Sequence, residues 1–166
     1  DLMHVLIIGA AGMVGRKLTA ALLKAGQVGG KALSKLTLTD VIEPQTVAFS
    51  GSVETSAADL STPGTAETLV AGRPDLIFHL AAIVSGEAEA DFDKGYRINL
   101  DGTRFLLEAI RQEGLRNGPY VPRLVFTSSI AVFSASTAST INVFRSAVMP
   151  TAVRARGRSY HEWLAE

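Results

Sequence analysis

The chain contains no cysteine, which excludes disulfides and thiolate-held metals. Histidine is scarce: His4, His79 and His161 lie too far apart for metal-ligand spacing, so no metal is expected. No stretch approaches the ~18 consecutive apolar residues of a membrane span. The apolar segment VLIIGAAGMVG has no positive flank before it and is interrupted by glycines, so it does not read as an export signal, and a cytoplasmic location is expected. Charge of one sign is also lacking. Sixteen basic side chains balance sixteen acidic ones, which argues against a nucleic acid or an anionic membrane as partner.

What is present suits a single α/β domain. In 166 residues, 47% apolar content supplies enough material for a real core. Residues 4–8, HVLII, form a continuous apolar run ending in glycine, as expected of a strand covered on both faces. From Met13 to Ala25 the period becomes helical, with Val14, Leu18, Ala21, Leu22 and Ala25 as the apolar face and Gly26 as stop. A long glycine-rich linker, GQVGGKALSK, leads to a second strand, LTLTD at 36–40. A third strand is expected within 52–60, after a loop. A helix with Ser61 or Thr62 as N-cap and Gly72 as terminator follows. LIFHL, 76–80, and RLVFTSS, 123–129, read as the fourth and fifth strands. They flank a helical region within Phe92–Glu113 that should bury Leu100, Phe105, Leu106, Ala109 and Ile110. Strands alternating with helices imply a doubly wound, Rossmann-like parallel sheet with right-handed crossovers.

Gly9, Gly12 and Gly15 are spaced three and three, directly after a strand and at the opening of a helix, with Met13 and Val14 between the last two. A tight turn, a close backbone approach to a pyrophosphate and close packing of helix on sheet each penalise a Cβ. The first-turn N–H groups and the helix dipole then face the phosphates. A dinucleotide site also needs a carboxylate at the end of the second strand to hold ribose hydroxyls, and Asp40 ends LTLTD. A carboxylate there disfavours a 2′-phosphate, so NAD is expected rather than NADP.

Taken in order, GxxGxxG, the strand-end Asp40, Ala58-Asp59-Leu60, His79-Leu80-Ala81-Ala82, Asn99 to Thr103 (NLDGT) and Phe126-Thr127-Ser128-Ser129 resemble an extended short-chain dehydrogenase/reductase of the NAD-dependent epimerase/dehydratase family. The resemblance runs from about residue 3 to 133. It is strongest toward members that oxidise a four-carbon sugar acid of the erythronate type. It implies hydride transfer at the hydroxyl of a sugar acid or nucleotide sugar, a small-molecule carbohydrate-type substrate, and a possible homodimer. By that resemblance Asp59 and Leu60 contact the adenine, while Leu80, Ala81 and Ala82 lie beneath the cofactor and Thr127 beside it. Asn99 holds active-site water or backbone. Ser129 is the catalytic hydroxyl that donates to the reacting substrate oxygen. Ser85, beyond the fourth strand, could touch substrate. His79 reads as a core or supporting residue with no chemistry of its own.

The family pattern also demands a Tyr four residues before a Lys, the Lys lowering the pKa of a phenol that serves as general acid/base. After Ser129 the sole tyrosine is Tyr160, with Leu164 four residues on, and the last lysine is Lys94. The pair is absent from this sequence. The composition changes near Phe133, where SASTAST begins, so residues 3–133 are read as the NAD-binding domain and 134–166 as a divergent tail. Two alternatives follow: a non-catalytic NAD-binding regulatory module, or an interaction protein that docks through Arg154, Arg156 and Arg158.

Overall fold

A computed structural model describes residues 2–128. Ser129, the boundary at Phe133 and the arginine-bearing tail lie outside the described residues. The elements run β1 (Leu2–Ile8), α1 (Met13–Ala25), β2 (Gln27–Val28), β3 (Lys31–Asp40), β4 (Ser52–Ala57), α2 (Thr65–Ala71) and β5 (Leu76–His79). They continue with α3 (Ser85–Ala90), α4 (Phe92–Gly95), a π-helical turn (Tyr96–Asp101), α5 (Gly102–Arg116) and β6 (Arg123–Phe126). The expected doubly wound order holds: β4, β3, β1, β5 and β6 pair in that sequence, all parallel.

The run HVLII is apolar throughout because both faces of β1 are covered. Val5 and Ile7 pack with Leu22 of α1 and Leu36 and Leu38 of β3. Leu6 and Ile8 point the other way, onto Val70 of α2 and Leu106 and Ala109 of α5. Each such side chain, taken fully out of water, contributes roughly 1.5–3 kcal/mol. The strand order reverses between β3 and β5 on either side of β1. That is the switch point where an open α/β sheet leaves a crevice beyond its carboxyl edge. Register aligns that edge: Ile8 lies opposite Thr39 and His79, Asp40 opposite Ala57, and His79 opposite Phe126.

Several local expectations shift, each for a physical reason. The glycine-rich linker is a hairpin. Gly29 (φ +56) and Gly30 (φ +81) make a two-residue turn between β2 and the start of β3, which lengthens β3 to ten residues. The third strand ends at Ala57, because Asp59 then bends the chain through bonds to the Ser61 amide and hydroxyl. Ser61 is thereby engaged, and α2 begins later, with Gly64 (φ +88) at its N-cap. Ser85, beyond the fourth strand, opens a short helix.

Two helical faces also differ. α1 buries Gly15, Thr19 and Leu22, while Val14, Ala21 and Ala25 are exposed. Only glycine at 15 lets the helix press that close, and Thr19 is tolerated inside because its hydroxyl donates to Gly15 O at 2.9 Å. In the long helical region Leu106 and Ala109 are buried as expected and Phe105 and Ile110 partly so, but Leu100 is half-exposed. The π-helical turn widens the helix by one residue per turn and takes Leu100 off the face that α5 presents.

At the opposite end of the sheet, Arg73 ties the α2–β5 and α5–β6 connections together. It pairs with Glu113 at 2.8 Å, donates to Pro119 O at 2.8 Å and lies over the Tyr120 ring. Among the described residues no helix is long and apolar enough to cross a membrane.

Candidate cofactor site

The glycine turn is built by the chain crossing the sheet edge. Gly9 and Ala10 N–H both donate to Thr39 O, at 2.9 and 3.0 Å, which pins the turn between β1 and β3. Gly9 sits at φ +94, and a Cβ there would lie 2.7 Å from the Ala81 amide nitrogen. A Cβ on Gly15 would come within 2.2 Å of Gly9 O. Both glycines are therefore required by the fold itself.

Gly12 is different, and the expected penalty on a Cβ at this position does not come from the fold. Its backbone (φ −68, ψ 166) suits any residue, and the nearest neighbour of a Cβ would be Gly9 O at 3.4 Å, an ordinary contact. Nothing within the described fold demands glycine there. It stands at the N-terminus of a 13-residue helix with no acidic side chain in its first turn. A helix N-terminus without an acidic side chain leaves its first-turn N–H groups and its dipole free for an anion.

Asp40 ends β3 beside this turn. One carboxylate oxygen accepts from Ala11 N–H at 2.9 Å and the other from Val41 N–H at 2.7 Å. The carboxylate is thus fixed next to the glycine turn, and each oxygen keeps acceptor capacity for a hydroxyl. Asp40, Asp59, Leu60 and Ala81 line one crevice together with Ile8, Ser61, His79 and Ile98. In it Asp59 accepts from the Ser61 hydroxyl at 2.6 Å and the Ser61 amide at 2.8 Å, and pairs with Arg97 at 3.2 Å. Burial pushes the Asp59 carboxyl up, but the bonds from Ser61 and Arg97 outweigh it and hold the group below the usual carboxylate range. Asp59 does not cap α2.

The remaining expected residues follow the same edge. Met13 and Val14 are exposed at the start of α1. Leu80 and Ala81 are partly buried, and Ala82 is exposed. Thr127 is exposed, its amide donating to His79 O at 3.1 Å. Asn99 lies in the π-helical turn and grips backbone: its Oδ1 accepts from Ile83 N–H at 2.9 Å and its Nδ2 donates to Ile83 O at 3.1 Å. Ser85 is the first residue of α3. Arg97, Ser61 and Ile83 belong to these networks but carry no motif in the sequence. Arg97 reads as one more exposed helical charge until the turn brings it to Asp59.

His79 is 2% exposed. Burial lowers its pKa from 6.5 to about 4, so the ring is neutral at pH 7. The unfolded chain binds more protons than the folded one between those values, so the stabilisation is complete above about pH 6.5 and is lost as pH falls toward and below 4. The loss is on the order of 3 kcal/mol for a shift of this size. Urea denaturation at pH 7 and pH 4.5 should show the decline, and His79→Gln should show a shallower one.

A glycine turn at a switch point, a helix N-terminus facing it and a strand-end carboxylate beside it define a dinucleotide-binding domain. The chain belongs to the NAD dependent epimerase/dehydratase family, whose pattern matches residues 5–156. It is 44% identical to D-erythronate dehydrogenase of Cupriavidus necator over 79% of this chain and 40% of that protein. It is 37% identical to D-erythronate dehydrogenase of Haemophilus influenzae over 84% of this chain and 42% of that one. Among solved structures, a nucleoside-diphosphate-sugar epimerase from Agrobacterium tumefaciens superposes with TM-score 0.78 at 66% identity, over 81% of this chain and 40% of that one. A mutant uronate dehydrogenase from the same organism, complexed with NAD, superposes with TM-score 0.59 at 28% identity, over 78% and 42%. The chain therefore spans about 40% of the length of the curated relatives it matches.

Proposed function

We propose that this chain forms the cofactor-binding part of an NAD-dependent dehydrogenase acting on a hydroxyl of a sugar acid, with a D-erythronate-like substrate favoured by its relatives. The observation that carries the reading is Gly12, whose missing side chain the fold does not require and which leaves the backbone open to a pyrophosphate. The residues fit the cofactor. The first-turn amides of α1 receive the pyrophosphate, Asp40 accepts from the ribose hydroxyls, and Asp59, kept ionised by Ser61 and Arg97, accepts from the adenine amine. When bound, NAD would supply the hydride-accepting chemistry. Asn99 fixes the Ile83 backbone beyond β5, and the Ser129 hydroxyl would hold the substrate oxygen by a donated hydrogen bond.

Titration with NADH, followed by nicotinamide fluorescence, tests the first part of this reading; absence of binding at millimolar cofactor defeats it. NADPH should bind at least about tenfold more weakly, a difference of about 1.4 kcal/mol, because its 2′-phosphate meets the Asp40 carboxylate. Asp40→Asn, which removes the charge at constant size, should narrow that gap.

One observation favours a second reading, a non-catalytic NAD-binding module: the sequence has no Tyr-x-x-x-Lys pair. A free phenol, with a pKa near 10, is a poor base at neutral pH. Dehydrogenation of erythronate by this 166-residue chain alone would remove that reading.

A further inference from the structure

Buried His79 and half-buried Thr103 are not accounted for by the proposed cofactor contacts. His79 Nδ1 has no hydrogen-bond partner, the one such buried side-chain atom among the described residues. Its other ring nitrogen, Nε2, lies 2.9 Å from Thr103 Oγ1. Thr103 Oγ1 is also 3.1 Å from Asn99 O, to which it donates across one helical turn. A hydroxyl has a single proton. If that proton goes to Asn99 O, the bond to His79 must run from the ring, so Nε2 carries the hydrogen and Nδ1 is a bare acceptor. The opposite tautomer would strip Asn99 O of this bond and bury an unpaired N–H, the rarer and costlier kind of orphan.

From this geometry we propose that His79 is a positioning residue, the anchor of a relay that runs from His79 Nε2–H to Thr103 Oγ1, from the Thr103 hydroxyl to Asn99 O, and from the Asn99 side chain to both polar atoms of the Ile83 backbone. The relay joins the end of β5 to the π-helical turn and returns to the segment that leaves β5 four residues later. It closes a ring of covalent chain and hydrogen bonds beside the crevice that His79 helps to line. π-helical turns are rare insertions that recur at functional sites. The half-buried Thr103 ties this turn to His79, and Asn99 carries the tie to Ile83. The consequence for the cofactor rests on the NAD reading above; the relay itself does not.

The test uses the full chain and three forms: wild type, Thr103→Val, which keeps shape and removes the hydroxyl, and Thr103→Ser, which restores it. Nitrogen-15 NMR of the assigned His79 ring in wild type should show the hydrogen on Nε2; a hydrogen on Nδ1 overturns the relay. The Ile83 amide should exchange with solvent at least tenfold faster in Thr103→Val and return to within about twofold of wild type in Thr103→Ser. Unchanged protection in the valine form, or a serine form as fast as the valine one, overturns it. If Thr103→Val does not fold, the ring tautomer and the serine form still decide. NADH affinity should fall with the valine form and recover with serine. Faster exchange with unchanged affinity would overturn the positioning of cofactor. If wild type itself fails to bind NADH, the cofactor reading falls, while tautomer and exchange still judge the relay.

Discussion

Gly12→Val should weaken NADH binding by at least a hundredfold and leave the protein folded. The structure separates the two effects. At Gly12 the backbone is extended (φ −68, ψ 166), and a Cβ would meet Gly9 O at a normal 3.4 Å. The folded chain thus accepts a Cβ there, and the expected cost is about 1 kcal/mol, the usual penalty for a poor N-cap residue. A hundredfold loss of affinity corresponds to about 2.7 kcal/mol. That is a modest demand for a side chain standing between the α1 amides and a pyrophosphate. NADH fluorescence titration alongside urea denaturation checks both halves. Lost stability together with lost binding would mean that Gly12 serves the fold after all, and unchanged binding would remove the observation on which the functional reading rests.

Gly15→Ala should do the reverse and destabilise the fold directly, by about 3 kcal/mol or more. Its Cβ would lie 2.2 Å from Gly9 O, 2.7 Å from Ala10 Cα and 2.9 Å from Ala10 C. All three are backbone atoms of a turn already tied to Thr39 O, so no flexible side-chain end can move aside. Relief requires lifting α1 off the sheet, which uncovers Leu22 and the β1 and β3 side chains beneath it. Urea denaturation followed by far-UV circular dichroism measures the effect. A shift below about 1 kcal/mol would show that α1 can slide on the sheet, contrary to its packing through Gly15, Thr19 and Leu22.

The strand order and the edge residues were legible because each rests on a short, strong signal. HVLII followed at once by glycine, LTLTD ending in a carboxylate, and LIFHL between helices each have one reasonable reading. Asp40 could be chosen because a strand end fixes where a side chain goes, whereas Asp59, two residues past the end of β4, was reached through the family resemblance. What sequence could not supply was helical register. A π-helical turn inserts a residue into the period without changing composition, so Leu100 reads as buried when it is not. The same insertion concealed how Arg97 reaches Asp59 while Asn99, two residues on, reaches Ile83. The apolar stripe of α1 misled for a related reason: contact is decided by the smallest side chain, Gly15, and not by the greasiest ones. The Gly-Gly turn signal at 29–30 was present in the sequence and reads there as a mere spacer.

That hairpin bears on how the molecule avoids sticking to itself. β4 covers the outer side of β3 only from Lys35 to Asp40. The first residues of β3 would otherwise offer bare N–H and C=O groups to any strand passing by, a template for aggregation. β2 folds back over Lys31 and Ala32, and Gly26 O takes the Leu33 amide at 2.9 Å. Two strand residues and two glycines thus cover the part of the β3 edge that the parallel partner is too short to reach.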